Sequence, residues 1–446
     1  MREGKVVIGK NFGDEGKGQT VSCLCRGKDA VVVRHNGGAQ AGHTVEDGAF
    51  RFVFHQLGSG SRWNCPTYWS ETFLPDLLKL GEEVEALRRE LWEKTGTRFT
   101  GSIYAHGGCA CVTVYDVLLN SLTEQLRGKK KHGSCGMGIY ETVLRTGEER
   151  FSLRLRDFLC AGEAQIAERL RAIREGYVRP RVEKLSVEYP DEFLREEIQE
   201  WLALLWDENL CRNAAAEMCA NFNRYVSLAD WQEISERYET VVFENAQGLM
   251  LDEDNREYFP HLTPSHTGLF NVAELLRGDR AQEGAQKEQK AETGQPDLEI
   301  FYVTRTYVTR HGAGRLDFEC GKEEINPGMT DLTNVPNPWQ DCLRYARHPA
   351  GAEFVRYMEE DLRQLKGIAC PVRCTLLVTH ANETGGKMLF ADKERTISEV
   401  SKLLEESVSV FLRRHSFLLV EGLGKVKAVV KAEGVRDRGD RQVGML

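Results

Sequence analysis

The chain has 446 residues, 41% of them hydrophobic and 28% charged, which is enough to bury a substantial core. Its formal net charge of -9 gives no general attraction to nucleic acid or to an anionic membrane. No apolar run approaches the ~20 residues that span a bilayer, and no signal peptide precedes the first apolar strand. We therefore expect a cytoplasmic enzyme with no nucleic-acid partner and no membrane partner.

The 13 cysteines are expected to be reduced thiols, because their number is odd and no secretory signal is present. The segment His106–Cys111 is the most metal-like cluster, with one histidine and two cysteines. A structural zinc site needs about four ligands, and no second half-site is evident. Buried or incidental thiols are therefore the favoured interpretation.

A glycine-rich loop follows the first apolar strand, Val6–Gly9. Three glycines, one lysine and two acids fill Gly13–Gly18. Glycine lets backbone N–H groups approach an anion, and the N-terminus of a following helix favours phosphate. Lys17 adds a point charge, while Asp14 can hold Mg²⁺ or take a proton. The spacing is not that of the common P-loop, because Gly18 stands where that motif has a hydroxyl residue.

A second glycine-rich loop follows the next strand. Ala30–Arg34 has no polar alternation and predicts a fully buried strand. It leads into His35–Thr44, which carries His43. Loops at the carboxyl ends of parallel strands meet at one edge of a sheet, where ligands bind in open α/β folds. His43 can act there as a proton donor or as a cation near phosphate.

These two loops resemble those of the adenylosuccinate synthetase family, Gly-Asp-Glu-Gly-Lys-Gly and Gly-Gly-x-x-Ala-Gly-His-Thr. Further segments resemble the family's motifs in the same order: His132–Ile139, Phe243–Asp252, Tyr258–Thr263 and Val303–Gly314. In the last of these the family has Tyr-x-Thr-Arg-Val-Gly-Ala-Gly. The resemblance implies an α/β fold related to P-loop proteins, with a large, mostly parallel central sheet, flanking helices and helical excursions.

The resemblance also implies a reaction. An aspartate at the position of Asp14 removes the N1 proton of IMP, and O6 attacks the γ-phosphate of GTP. A histidine at the position of His43 assists near the transferring phosphate, and a glutamine at that of Gln247 orients the purine. An amine then displaces the 6-phosphoryl group. The resemblance implies Mg²⁺ as cofactor, held by Asp14 and the carbonyl of Gly42.

The remaining site residues are carried over in three groups. Residues assigned to the triphosphate are Gly13, Glu15, Gly16, Lys17, Gly18, Gln19, Gly42 and Thr44. Residues assigned to an IMP-like substrate are Gln40, Ser134, Cys135, Arg145, Asn245 and Thr263, with Arg145 corresponding to an arginine that reaches IMP from the other subunit of a homodimer. Residues assigned to the nucleobase of the triphosphate are His380 and Asn382.

Several positions depart from the family pattern. The family's arginine-rich aspartate loop has no counterpart, and Asn326–Asn334 stands nearest to it with Asp331 inside. Because those arginines bind the carboxylates of aspartate, another amine or amino acid is plausible as co-substrate. Gln40 replaces an asparagine and Cys135 a threonine. Asn382 replaces an aspartate that reads guanine, so ATP is an alternative to GTP.

The whole chain, 1–446, is interpreted as one adenylosuccinate synthetase-like domain. A polar surface insertion is predicted at 278–296 and a loose tail at 436–446. Helices are predicted at Pro75–Glu93, Ser152–Glu175, Asp191–Trp206 and Glu399–Phe411, and strands at Leu298–Val303 and Phe417–Val420.

Two functions follow from these observations. The first is a ligase that phosphorylates the 6-oxo group of IMP, or of a related nucleotide, and couples it to an amino acid or amine. The second is a nucleotide-binding sensor without ligase turnover. Retention of Asp14, Lys17, His43 and Gln247 together favours the ligase, since a binding protein needs no general base.

Overall fold

The structure is a computed structural model that describes residues 1–128, 136–283, 297–328, 343–368 and 370–400, and the two strands 417–421 and 425–430. Ser134, Cys135 and Asp331 lie outside the described residues, as do most of the predicted insertion, most of the helix predicted at Glu399–Phe411 and the tail.

A ten-stranded sheet forms the centre of the described chain, in the order β17-β16-β13-β9-β1-β8-β2-β5-β6-β7. Every neighbouring pair is parallel except β16 and β17. This arrangement confirms the predicted fold class. The strands are β1 Glu3–Gly9, β2 Ala30–Arg34, β3 His43–Asp47, β4 Phe50–Phe54, β5 Thr67–Trp69, β6 Ile103–Ala105, β7 Val226–Leu228, β8 Thr240–Gly248, β9 Asp297–Arg305, β10 Val308–Arg310, β11 Glu319–Cys320, β12 Arg344–Ala346, β13 Val372–Thr379, β14 Lys387–Leu389, β15 Glu394–Thr396, β16 Phe417–Glu421 and β17 Lys425–Val430.

Helices cover the sheet and extend from it. They are α1 Lys17–Cys25, α2 Leu77–Thr95, α3 Val114–Arg127, α4 Ile139–Thr146, α5 Glu163–Ile173, α6 Arg179–Glu188, α7 Pro190–Phe193, α8 Glu196–Leu205, α9 Glu208–Tyr225, α10 Trp231–Arg237, α11 Phe270–Glu283, α12 Lys322–Ile325 and α13 Arg356–Leu362. None of the helices in the described ranges combines the length and the apolar character that a membrane span requires.

The central strands are buried on both faces, as their apolar runs predict. Val6 and Ile8 of β1 pack in one core cluster with residues of α11 and α13. Val7, which points to the other face, packs with Val21 and Leu24 of α1. β1 therefore lies between two layers of helix, with β8 and β9 as its parallel neighbours.

Several predicted elements are confirmed and others are shifted. α2 begins after Asp76, whose carboxylate caps it, and strands cover both Leu298–Val303 and Phe417–Val420. The helix predicted at Ser152–Glu175 is shorter, because single turns precede α5. The helix predicted at Asp191–Trp206 is interrupted between α7 and α8. The first residues of the predicted insertion, Gly278–Glu283, extend α11.

Candidate functional site

Five neighbouring parallel strands, β13-β9-β1-β8-β2, end at the same edge of the sheet, and most of the predicted site residues lie at or after these ends. The two glycine-rich loops meet there. A Cβ at Gly18 would lie 2.8 Å from the Cβ of His43, so the first turn of α1 is packed directly against the second loop. Only glycine at this position allows so close an approach.

The loop between β1 and α1 has an unusual backbone. Gly13 and Gly16 have φ angles of 118° and 91°, which favour glycine, and Asp14 has φ 58°. Gln247 and His380, at the ends of β8 and β13, are also non-glycine residues in this left-handed region. Strained backbone of this kind concentrates at functional sites.

Side chains from neighbouring segments hold three successive carbonyl groups of this loop. The hydrogen bonds are Thr309 Oγ1 to Gly13 O at 3.3 Å, Arg305 Nε to Asp14 O at 2.5 Å and Thr379 Oγ1 to Glu15 O at 2.9 Å. No described residue accepts a hydrogen bond from the N–H groups of Asp14, Glu15 or Gly16. Gly16 caps α1 without a side-chain hydrogen bond. The loop therefore offers N–H groups and a helix N-terminus to an anion.

Glu15 and Lys17 are buried beneath this loop. The Oε1 atom of Glu15 accepts hydrogen bonds from the backbone N and the Nδ2 of Asn11, at 2.7 and 2.8 Å. Burial raises the pKa of Glu15 to about 7 and lowers the pKa of Lys17. A Cβ at Gly9 would lie 2.3 Å from Glu15 Oε2 and 3.0 Å from Lys17 Nζ, so these charged groups lie directly against β1.

His43 is oriented by a carboxylate from β8. Its Nδ1 lies 2.7 Å from Oε1 of Glu244, and the backbone N of Ser59 donates to Oε2 at 2.9 Å. Burial lowers the pKa of His43 to about 4. Burial would raise the pKa of Glu244, but its interactions with His43 and Arg34 outweigh burial and hold that pKa below its usual value. The arrangement is therefore a neutral imidazole that donates its Nδ1 proton to a carboxylate.

Asp14 lies beside His311, and the preceding Gly13 lies beside Gln247. The Oδ2 of Asp14 is 3.4 Å from Nε2 of His311, and the Asp14 side chain is 30% exposed. A Cβ at Gly13 would lie 3.6 Å from the Cα of Gln247. The Oε1 of Gln247 is buried without a hydrogen-bond partner among the described residues. The loop that carries the Asp14 carboxylate thus packs against Gln247, whose amide oxygen has no partner among the described residues.

Comparison with known proteins identifies the family of this chain. The adenylosuccinate synthetase family model matches residues 6–333. The chain belongs to this family. Adenylosuccinate synthetases of Acidithiobacillus ferrooxidans and Anaeromyxobacter sp. (strain K) are 29% and 30% identical over 330 and 272 residues, covering 72% and 60% of this chain. The matches cover 67% and 57% of those relatives' own lengths.

Two solved structures share the fold. A fully ligated adenylosuccinate synthetase from Plasmodium falciparum has a TM-score of 0.56 and 18% identity, over 86% of this chain and 79% of that chain. The succinoaminodeoxyadenylate synthetase of cyanophage S-2L has a TM-score of 0.52 and 15% identity, over 91% of this chain and 89% of that chain. These likenesses show that the chain has the same fold.

The substrate roles predicted for Arg145 and Asn245 are wrong, because both side chains make hydrogen bonds inside the fold. Arg145 is fully buried; its Nε and Nη2 donate to Asp116 at 2.8 and 2.9 Å, and its Nη1 donates to a backbone carbonyl. Asn245 is also fully buried, and its amide bonds His35 and the carbonyl of Thr267. With these donors and acceptors satisfied inside the fold, neither side chain is presented to a substrate.

Gln40 and Thr263 are the other residues predicted to contact the IMP-like substrate that lie within the described ranges. The amide of Gln40 lies against Gly37 and Gly38 and has no hydrogen-bond partner in the described ranges. Thr263 is buried. The Oε1 of Gln19 accepts a hydrogen bond from the backbone N of Glu46 at 2.8 Å, and its Nε2 lies 3.9 Å from Sγ of Cys23.

Thr44 and Gly42 flank His43. The Oγ1 of Thr44 is buried and has no hydrogen-bond partner within the described residues. Gly42 is exposed. Both therefore remain in the set of residues predicted to contact the triphosphate.

The predicted nucleobase residues lie at the end of β13. A Cβ at Gly16 would lie 3.2 Å from Thr379, which connects β13 to the predicted phosphate loop, Gly13–Gly18. His380 follows, with Nδ1 2.9 Å from Thr379 Oγ1, and Asn382 lies exposed in the single turn Ala381–Thr384. The structure therefore brings these residues next to Gly13–Gly18.

Sequence reasoning missed Glu244, Arg305 and Thr379. Glu244 was a detectable candidate, because a carboxylate inside an otherwise apolar strand requires a buried partner. Nothing in the local sequence indicates that Arg305 and Thr379 bind the loop, since their partners are about 290 and 364 positions away.

One further group of residues has metal-like spacing. Potential ligand atoms of Asp252, Asp254 and His266 lie within 4.8 Å of one another. His266 also lies 3.2 Å from Glu253, and its hydrogen bond with Asp252, opposed by burial, raises its pKa. The contacts of His266 with Asp252, Glu253 and Asp254 account for this cluster without a metal ion.

Proposed function

We propose that this protein is a C–N ligase that transfers the γ-phosphoryl group of GTP or ATP to the 6-oxo group of IMP or a related 6-oxopurine nucleotide. The activated carbon is then coupled to an amine. One observation carries this proposal: the phosphate loop holds Asp14, a potential base, beside N–H groups available for an anion, while His43 packs against the same loop. Family membership supports the reaction class.

The proposed reaction has two steps, phosphoryl transfer and displacement by the amine. Asp14 accepts the proton from N1 of the purine, and the electron pair moves through the ring so that O6 attacks the γ-phosphorus. The nucleoside diphosphate leaves. The amine nitrogen then attacks C6, loses a proton, and expels O6 with the phosphoryl group as inorganic phosphate. Lys17 and the loop N–H groups neutralise the transferring charge, and an anionic phosphate near His43 favours its protonated form.

The donor set at this site suits Mg²⁺. The carboxylate of Asp14 is partly exposed and the backbone of Gly42 is exposed, so both oxygens are available to a hard cation. Bound there, Mg²⁺ would supply charge neutralisation for the phosphates.

The chain's departures concern the triphosphate base and the amine. Asn382 is exposed and stands where the family has an aspartate. Because an amide both donates and accepts hydrogen bonds, ATP is a candidate phosphoryl donor beside GTP. The phage enzyme of similar fold is described with dGMP and with dATP as an energy donor. The segment Asn326–Asn334 carries no arginine, which favours an amine other than aspartate. A homodimer and a cytoplasmic location remain predictions from the sequence.

A mass-spectrometric screen tests this function. Protein, Mg²⁺, GTP or ATP, and IMP or dGMP are incubated with a panel of amino acids and amines, and phosphate and new nucleotides are measured. We expect phosphate release that requires one monophosphate, one triphosphate and one amine. Asp14→Asn should abolish release while nucleotide affinity is largely kept. Nucleotide binding without product under any amine would support the sensor function instead.

A further inference from the structure

A chain of hydrogen bonds connects the turn that carries Asn382 with the backbone of Asp14. Its links are Tyr307 Oη donating to Glu383 Oε2, Arg305 Nη1 donating to Tyr307 Oη at 2.9 Å, and Arg305 Nε donating to Asp14 O at 2.5 Å. The turn Ala381–Thr384 contains both Asn382 and Glu383. The Ala381–Thr384 turn and the Gly13–Gly18 loop are therefore joined through the side chains of Tyr307 and Arg305.

Both connecting side chains are buried. Arg305 is 4% exposed and Tyr307 is fully buried. Burial raises the pKa of Tyr307, so its hydroxyl stays protonated and can donate to Glu383 while it accepts from Arg305. Hydrogen bonds that involve a charged group are strong when they are shielded from water. The two side chains therefore hold Glu383 and the carbonyl of Asp14 at fixed positions relative to one another.

The series of hydrogen bonds ends at Asp14, whose backbone is strained. Asp14 has φ 58°, a conformation that is costly for a residue with a Cβ. Its carbonyl is held by Arg305, and the direction of its carboxylate depends on that backbone. The other end is also tied, because the Nδ2 of Asn326 donates to the carbonyl of Glu383 at 2.7 Å.

We propose that Arg305 and Tyr307 are positioning residues that set the backbone of Asp14 according to the position of the Ala381–Thr384 turn. Occupation of the turn by the base of the triphosphate then favours the orientation of Asp14 needed for proton removal. This inference rests on the proposed function for the role of Asp14, although the physical connection does not depend on turnover.

Tyr307→Phe tests the connection, and Tyr302→Phe is its matched control. Tyr302, on β9, is also buried, and its hydroxyl donates to the carboxyl group of Asp361 at 2.9 Å. We expect Tyr307→Phe to lower kcat about tenfold, with the KM for IMP changed less than about twofold. Tyr302→Phe should lower thermal stability without this loss of kcat.

Variants of Glu383 give a second readout. Glu383→Gln keeps an acceptor for Tyr307 and should retain kcat within about twofold, whereas Glu383→Ala should lose as much as Tyr307→Phe. The double variant Tyr307→Phe/Glu383→Ala should be no worse than either single variant, because both break the same chain. Additive losses, or an equal loss in Tyr302→Phe, would overturn the proposal.

Crystal structures of Tyr307→Phe and Tyr302→Phe provide a readout that needs no turnover. We expect Arg305 to leave the carbonyl of Asp14 in the first variant and to keep it in the second. A retained contact in Tyr307→Phe would overturn the proposal. If the wild-type protein releases no phosphate with any substrate, the proposed function fails, and the two crystal structures still decide the positioning role.

Discussion

The Nδ1 atom of His43 lies 2.7 Å from Oε1 of Glu244, and both side chains are buried. The two residues are 201 positions apart in the chain. They meet because His43 lies at the end of the loop that follows β2, and β2 is the neighbour of β8 in the sheet. A carboxylate can only accept a hydrogen bond, so it fixes the proton on Nδ1. Nε2 is then the ring nitrogen that is left to interact with the reacting groups.

Glu244→Gln should therefore lower the rate of phosphate release about a hundredfold. The amide can turn its NH₂ group towards Nδ1 and no longer selects one tautomer of His43. The rate is measured with a coupled phosphate assay at saturating nucleotide. Glu299→Gln is the control, because Glu299 also lies in the sheet, but pairs with Lys5 at 3.4 Å away from the loops. An unchanged rate in Glu244→Gln would contradict this role.

Thr379→Val should weaken triphosphate binding. The change removes the hydroxyl that donates to the carbonyl of Glu15 at 2.9 Å while it keeps the shape of the side chain. Loss of one such hydrogen bond costs about 1 kcal/mol, so the KM for the triphosphate should rise about fivefold. Thr375→Val is the control on the same strand, since its hydroxyl donates to Glu299 instead. Equal KM values in the two variants would argue against this anchoring of the loop.

Arg145→Ala should lower the stability of the folded protein. The guanidinium is fully buried against Asp116, and its removal leaves a buried carboxylate without its cation. The free energy of unfolding should fall by about 3–5 kcal/mol, as measured by urea denaturation. Arg171→Ala, which breaks an exposed pair with Glu168, should cost less than about 1 kcal/mol. A stable Arg145→Ala protein with a raised KM for IMP would restore the role that family resemblance suggested.

The sequence predicts the local features of the site better than the contacts between distant segments. The glycine spacing of Gly13–Gly18 encodes its own local turn, so the phosphate loop and its edge of the sheet were predictable. The partner of His43 was not, because Glu244 comes from a distant strand. Arg145 and Asn245 match family positions, but their burial depends on packing, which a motif does not record.

The stability of the protein should depend on pH through Asp361. This carboxyl is buried, accepts hydrogen bonds from Leu269 N and Tyr302 Oη, and burial raises its pKa to about 7. The folded state therefore retains the proton at pH values where the unfolded chain, with a pKa near 3.8, has lost it. Stability from this group is present at low pH and falls as pH rises from about 4 to about 7, by at most about 4 kcal/mol.

Asp361→Asn should remove that part of the pH dependence, because the amide does not ionise. Urea denaturation of both proteins across this range gives the comparison, and the stability of the variant relative to wild type should increase with pH. Parallel stability curves would show that Asp361 does not titrate in this range.

The central claim, that O6 of the purine receives the phosphoryl group, is tested most directly with IMP labelled by ¹⁸O at the 6-position. Inorganic phosphate released in the presence of Mg²⁺, a triphosphate and the active amine is analysed by mass spectrometry. The account predicts that the ¹⁸O appears in the phosphate. Unlabelled phosphate, released at the same rate as new product forms, would contradict it.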